Sequence, residues 1–218
     1  SSSQSSVKTD PDSDVSVRSR QLLLGKDSNV LGAVALFSEH EPMDVTKVTV
    51  TFTDTAPSVG RLYIYDDAQG LVGTATRSTT NPQQFILNMS VGRFHLPMQE
   101  SITIYTRGDI KSKNQGGVAD EEIQIYSWLV QGYGSWSNNS YAISSTDVYP
   151  TFETVGAKIT DVENARASTE NLTGGDSQIL ASFRFSGERS GGWQYSPRIT
   201  KLTFQIEGAG VDLSNVEM

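Results

Sequence analysis

Between positions 126 and 141 the chain carries Tyr126, Trp128, Tyr133, Trp136 and Tyr141. Two of its three tryptophans fall there, and Tyr133 and Trp136 lie in a run of Gly, Ser and Asn where an interior is hard to build. Rigid rings with polar tips stack on sugar faces and anchor protein interfaces at little entropic cost. Trp128, Tyr133, Trp136 and Tyr141 are therefore the candidate ligand-binding set, for a carbohydrate or a protein. The same residues admit a plainer role, with Trp128 in a core and the loop rings packed over a sheet end, since large aromatics are mostly buried.

Calcium is the one cofactor the sequence admits. In D-P-D-S-D, Asp10, Asp12 and Asp14 alternate as the first ligands of a calcium loop do. The sixth position is Val15 where glycine belongs, and the twelfth is Gln21 where a bidentate Glu belongs, so an acidic linker is the competing reading. Asp66, Asp67, Asp120, Glu121 and Glu122 are further oxygen donors, readable as calcium ligands, as the carboxylate pair of a glycosidase, or as solvated turns. His40, in E-H-E, and His95, in R-F-H-L-P, lack the H-E-x-x-H spacing of a zinc protease. Arg107-Gly108-Asp109 spells the tripeptide of integrin ligands, yet it directly follows a predicted strand, where Gly-Asp is ordinary turn chemistry. Asn138-Asn-Ser and Asn171-Leu-Thr are glycosylation sequons in predicted loops, and Asn88-Met-Ser is a third. No constellation defines an active site, and the chain is expected not to be an enzyme.

Charge and composition narrow the partners. The 218 residues carry a formal net charge of −8 and a sequence pI of about 4.7, a field that repels nucleic acid and anionic membranes. There is no cysteine, which removes disulfides, thiolate zinc sites and cysteine nucleophiles together. No apolar run reaches the length of about 18 residues that would mark a membrane-spanning helix. The opening S-S-S-Q-S-S has no charged and apolar leader pattern and reads as part of a longer, processed chain.

What would position these residues is a series of short runs with period two. Residues 15–24, 30–37, 46–53, 61–65, 71–76, 84–90, 101–106 and 122–130 alternate apolar and polar side chains and are rich in β-branched and aromatic types. Gly, Asp, Pro and Ser punctuate them, with hairpin signals at Asp66-Asp67-Ala68-Gln69-Gly70 and Gly116-Gly117. Residues 131–154 read as loop, followed by a closing strand over 155–162. No helical stripe is evident. The expected fold is all-β, an antiparallel β-sandwich of immunoglobulin-like or jelly-roll type.

One unit occurs twice. G-K-D-S-N-V-L-G-A-V-A-L-F from Gly25 matches G-G-D-S-Q-I-L-A-S-F-R-F from Gly174 at an offset of 149 (174 − 25). V-T-K-V-T-V-T-F from Val45 matches I-T-K-L-T-F-Q-I from Ile199 at an offset of 154 (199 − 45). The five-residue difference falls between two apolar runs, where a hairpin loop absorbs an insertion cheaply. Asp27-Ser28 recurs as Asp176-Ser177, which favours a structural turn over a unique site. The expected organisation is a flexible acidic linker over 1–14, a β-sandwich over 15–163, and the start of a second, incomplete sandwich over 164–218. Such a period is the mark of a modular array.

The succession V-T-K-V-T-V-T-F, R-L-Y-I-Y-D-D-A-Q-G-L-V-G and F-H-L-P-M-Q-E-S-I-T-I-Y-T-R-G-D-I resembles the tandem immunoglobulin-like modules of secreted bacterial and archaeal surface proteins. The resemblance runs from Val15 to the C-terminus and rests on scaffold motifs. It implies an extracellular stalk, surface-layer, filament or adhesin component, without catalytic residues, whose partners are neighbouring copies or further modules. The alternative is a carbohydrate-binding module attached to a polysaccharide-active enzyme, with glycans as partners.

Overall fold

Alternation becomes strand wherever one side of it is apolar. A computed structural model describes residues 5–8, 20–66, 70–145, 149–165, 182–191 and 197–203, the first of these stretches by its backbone alone. In chain order the strands are β1 (Ser5–Lys8), β2 (Gln21–Leu23), β3 (Asn29–Ser38), β4 (Met43–Phe52), β5 (Val59–Asp66), β6 (Gly70–Arg77), β7 (Gln84–Asn88) and β8 (Phe94–Leu96). There follow β9 (Ser101–Ile110), β10 (Glu122–Ile123), β11 (Ile125–Gly134), β12 (Ser140–Ser145), β13 (Phe152–Val155), β14 (Ala157–Asn164) and β15 (Phe183–Arg189). Among the described residues the only helical piece is a 3-10 turn at Lys113–Gln115.

The all-β expectation holds, and the architecture is a curled half-barrel. One ten-stranded sheet runs β1-β3-β9-β5-β6-β7-β4-β11-β12, with β8 added beside β4. Its two halves are continuous through β6, which pairs with β5 over most of its length and with β7 at Thr76 and Arg77. All these pairings are antiparallel. A three-stranded sheet, β10-β13-β2, contains a parallel pair, β13 with β2. The ribbon β14-β15 stands as a separate two-stranded sheet.

Three local outcomes depart from the alternation. The stretch expected as linker includes β1, which lies antiparallel along β3; an edge strand asks only for backbone hydrogen bonds, so S-S-V-K suffices. The run expected to end at 130 extends to Gly134, where glycine's weak strand preference had suggested a loop. Both glycines are required there by close approach: a Cβ at Gly132 would strike the carbonyl of Asp44, and one at Gly134 the carboxylate of Glu41. The boundary expected between 163 and 164 falls at the last residue of β14.

The curl encloses one core. Trp128, Phe52, Phe85, Phe94, Leu36, Leu62, Ile64 and Ile104 are among its largest sealed side chains, and Phe52 meets Phe85 edge to face at 5.7 Å. Arg77 closes one end. Its guanidinium lies 4.4 Å over the Phe85 ring and donates to the carbonyls of Thr55, Pro82 (2.7 Å), Ala56 (2.8 Å) and Val59 (2.9 Å). These bonds tie the turn after β4 to the turn before β7.

Candidate functional site

The β11–β12 hairpin carries the aromatic candidates, and its tip is built around a buried acid. Glu41, in the bend between β3 and β4, is 8 % exposed. A carboxylate in such a place is costly unless donors replace its water. Four do so. Oε1 accepts from Ser137 Oγ at 2.6 Å and from the Tyr141 hydroxyl at 2.5 Å, and Oε2 accepts from the amides of Ser137 at 2.9 Å and Trp136 at 3.1 Å. These bonds, the Ser137 hydroxyl foremost and the Tyr141 hydroxyl next, hold the Glu41 pKa down from its ordinary 4.5 to about 2, against the opposing effect of burial. Backbone bonds from Ser135 to the Pro42 carbonyl, from Asn138 to Gly134 and from Gly134 to Asn139 complete the tip.

A second acid sits beside it. Asp44 is the cross-strand partner of Tyr133. Its Oδ2 accepts from Ser135 Oγ at 3.1 Å, and its Oδ1 lies 3.1 Å from His95 Nδ1 on β8. Serine, aspartate and histidine are thus gathered, but with the carboxylate in the middle. A serine nucleophile needs the imidazole against its hydroxyl, so this order does not make a hydrolytic triad. Among the described residues no catalytic constellation and no group of three His, Asp or Glu side chains suited to a metal occurs.

The four expected ligand-binding residues separate into pairs. Trp136 is 68 % exposed and Tyr133 is 44 % exposed, so both rings stand at the surface of the hairpin. Trp128 is a correction to the expected surface set: it faces inward on β11 and is sealed in the core, where no ligand reaches it. Tyr141 is half-buried with its hydroxyl bound to Glu41, so it braces the tip from below. Tyr126 is exposed near the other end of β11.

The other candidates have structural partners or fall elsewhere. Asp10, Asp12, Asp14, Asp67, Asn171, Asp176 and Ser177 lie outside the described residues. Arg107-Gly108-Asp109 lies within β9, a strand flanked by β3 and β5, and is no loop. There Asp109 accepts from the Ser28 amide at 2.9 Å and the Tyr63 hydroxyl at 2.8 Å, while Arg107 lies 5.4 Å over the Tyr65 ring. Glu121 is bound to the hydroxyl and amide of Ser58, Asp66 is buried at the end of β5, Asp120 lies two residues before the short strand β10 and Glu122 opens it. His40 sits 3.7 Å from Glu39 on the surface. Asn88 ends β7 and is exposed, and Asn138 is exposed at the hairpin tip with a φ of 54°.

Sequence reasoning missed Glu41, Asp44 and Ser135. Glu41 acts on residues 95 to 100 positions away, and no local pattern announces that.

No protein-family model and no curated protein sequence matches the chain. Among solved structures it is similar to AvmM, which catalyses macrocyclization in alchivemycin A biosynthesis, at 10 % identity and a TM-score of 0.38, over 70 % of this chain and 88 % of that one. It is also similar to the cohesin module of a family 33 glycoside hydrolase from Clostridium perfringens, at 12 % identity and a TM-score of 0.34, over 70 % of this chain and 96 % of that one.

Proposed function

We propose that this chain is a non-catalytic structural or adhesive module of an extracellular, cell-surface or filament-forming protein, and that the region from β14 onward is the junction with a neighbouring copy or module. One observation carries this reading. Leu36, Val45 and Val48 are sealed in the core, yet the residues that match them in the second run of the repeat, Phe185, Ile199 and Leu202, are 37 %, 44 % and 38 % exposed. Apolar side chains at strand spacing, without a sheet over them among the described residues, favour a partner that supplies one.

The first unit indicates what such a partner offers. There the matching strand β3 is flanked by β9 and β1, so the ribbon calls for a strand of the β9 kind added along its edge or a sheet laid over its face. In this proposal a neighbouring copy or module supplies that strand or sheet. Among the described residues no helix is long and apolar enough to cross a membrane. In this reading residues 164–218 belong to a second, related sandwich unit, and calcium and glycans at Asn138 and Asn171 are accessory to a surface location.

Light scattering of the native particle across a concentration series, with and without calcium, tests the proposal. The expected result is a concentration-dependent multimer that reverts to monomer in the double variant Phe185→Ser, Leu202→Ser. A monomer throughout the series, or a multimer indifferent to those substitutions, overturns it.

A further inference from the structure

The hairpin tip invests a buried carboxylate in fixing a loop whose most prominent feature is an exposed tryptophan. Trp136 itself contributes little to the packing of the core, being 68 % exposed. A ring held rigid before a ligand arrives loses little entropy on binding, which is how preorganised aromatic anchors gain affinity.

We propose that the tip of the β11–β12 hairpin is a binding site for neutral glycans, in which Trp136 and Tyr133 stack on sugar faces and the Asp44 carboxylate, between Ser135 and His95, accepts hydrogen bonds from sugar hydroxyls.

The surroundings select the ligand chemistry. A protein-binding hot spot sits within a ring of apolar contacts that keeps water out. Around Trp136 stand Ser135, Ser137, Asn138 and Asn139, all polar and exposed. A sugar ring is amphipathic: its C–H face covers an aromatic ring while its rim of hydroxyls finds acceptors and donors to the side. Asp44 supplies the acceptors. A carboxylate has about four lone-pair sites; two are engaged by Ser135 and His95, which fix its plane and leave the rest. His95 presents its other ring nitrogen, Nε2, as a further polar group, and the ring is half exposed. Tyr133 stands opposite Asp44 in the strand register, so ring and carboxylate share the outer face of the sheet. Tyr133 and Trp136 are three residue steps apart, a reach of at most about 11 Å along the chain, which lets two rings serve neighbouring sugars of one chain. The charge of the whole molecule, −8, and Asp44 itself disfavour uronate or sulfated glycans.

Affinity electrophoresis in native gels tests this, with hydroxyethylcellulose, arabinoxylan, galactomannan and mixed-linkage β-glucan as neutral probes and alginate as the anionic one. The expected result is retardation by at least one neutral polysaccharide, weakened about tenfold or more by Trp136→Ala, and weakened by Tyr133→Ala and Asp44→Asn. Tyr126→Ala, an equally exposed ring remote from the tip, is expected to bind as the parent does. Unchanged thermal melting of the tip variants separates lost binding from lost folding. Retardation by no neutral probe, by alginate alone, or to the same extent in Trp136→Ala overturns the proposal. So does a Trp136-dependent self-association in light scattering without any glycan retardation, which would assign the tip to a protein interface. Failure of the ribbon variants to alter assembly touches none of these readouts.

Discussion

Two stretches of this chain share a pattern and differ in fate. β3 places Val34 and Leu36 in an interior because β9 and β1 flank it and the other half of the curled sheet closes over it. β15, which holds the matching Phe183 and Phe185, pairs with β14 alone among the described residues, and every residue of it is exposed. β4 repeats the lesson: it lies between β7 and β11, while residues 199–203, its counterpart, belong to no strand. Alternation specifies which side of a strand is apolar. Burial needs a second surface, which the pattern itself does not provide.

Truncating the matched positions gives the sharpest contrast. Leu36→Ala is expected to cost about 2–5 kcal/mol of unfolding free energy, the usual range for emptying a sealed leucine site. Phe185→Ala should leave the stability of the isolated chain within about 0.5 kcal/mol, as surface changes do. Urea titration at low protein concentration reads both; equal losses would break the distinction between the two stretches.

A smaller effect separates the braced hairpin tip from the ribbon. Because the pKa of Glu41 is depressed when folded, the order it gives the tip is complete above about pH 4.5 and is lost as pH falls toward about 2. Following the Trp136 indole signal by NMR through an acid titration should show the tip loosening in that window. Glu41→Gln should remove the transition while keeping the side-chain shape. A tip that stays ordered down to pH 2 in the parent chain would contradict the carboxylate's role.

The smallest expected effect lies at an ion pair between the body and the ribbon. Lys26 reaches Glu188 of β15 at 3.2 Å, with both side chains about half exposed. An ion pair of that kind contributes at most about 1 kcal/mol and is screened by salt. Lys26→Ala should therefore raise amide exchange in the ribbon only slightly, and not at all at high salt. A large change would mean that the ribbon is held by the body more firmly than its exposure indicates.

The strands of the sheet were legible where β-branched residues alternate with polar ones, as in V-T-K-V-T-V-T-F. β8, β12 and β13 were not, being short or set in Gly, Ser and Pro surroundings whose local preference is for turns. Strand order was equally hidden, since the passage of β6 from one half of the sheet to the other depends on two residues, Thr76 and Arg77, and the parallel pair β13-β2 joins segments over 130 positions apart, as at Glu153 and Gln21 (153 − 21 = 132). At the site, residue type announced Tyr133 and Trp136. The inward turn of Trp128 follows from its step with Val130 on β11, whereas Glu41 and Asp44 act through folding alone.

Arg77 bears on how this scaffold tolerates change. The connections after β4 and before β7 look like ordinary loops, the places where insertions and grafted peptides are most readily accepted. Here they hold the carbonyls of Thr55, Ala56, Val59 and Pro82 against a single guanidinium. Lengthening either loop would draw acceptors away from a cation already lying over the core. These two turns are thus fixed in length, and an engineer seeking an insertion point does better at the turn joining β7 to β8, where Val91 and Gly92 are exposed.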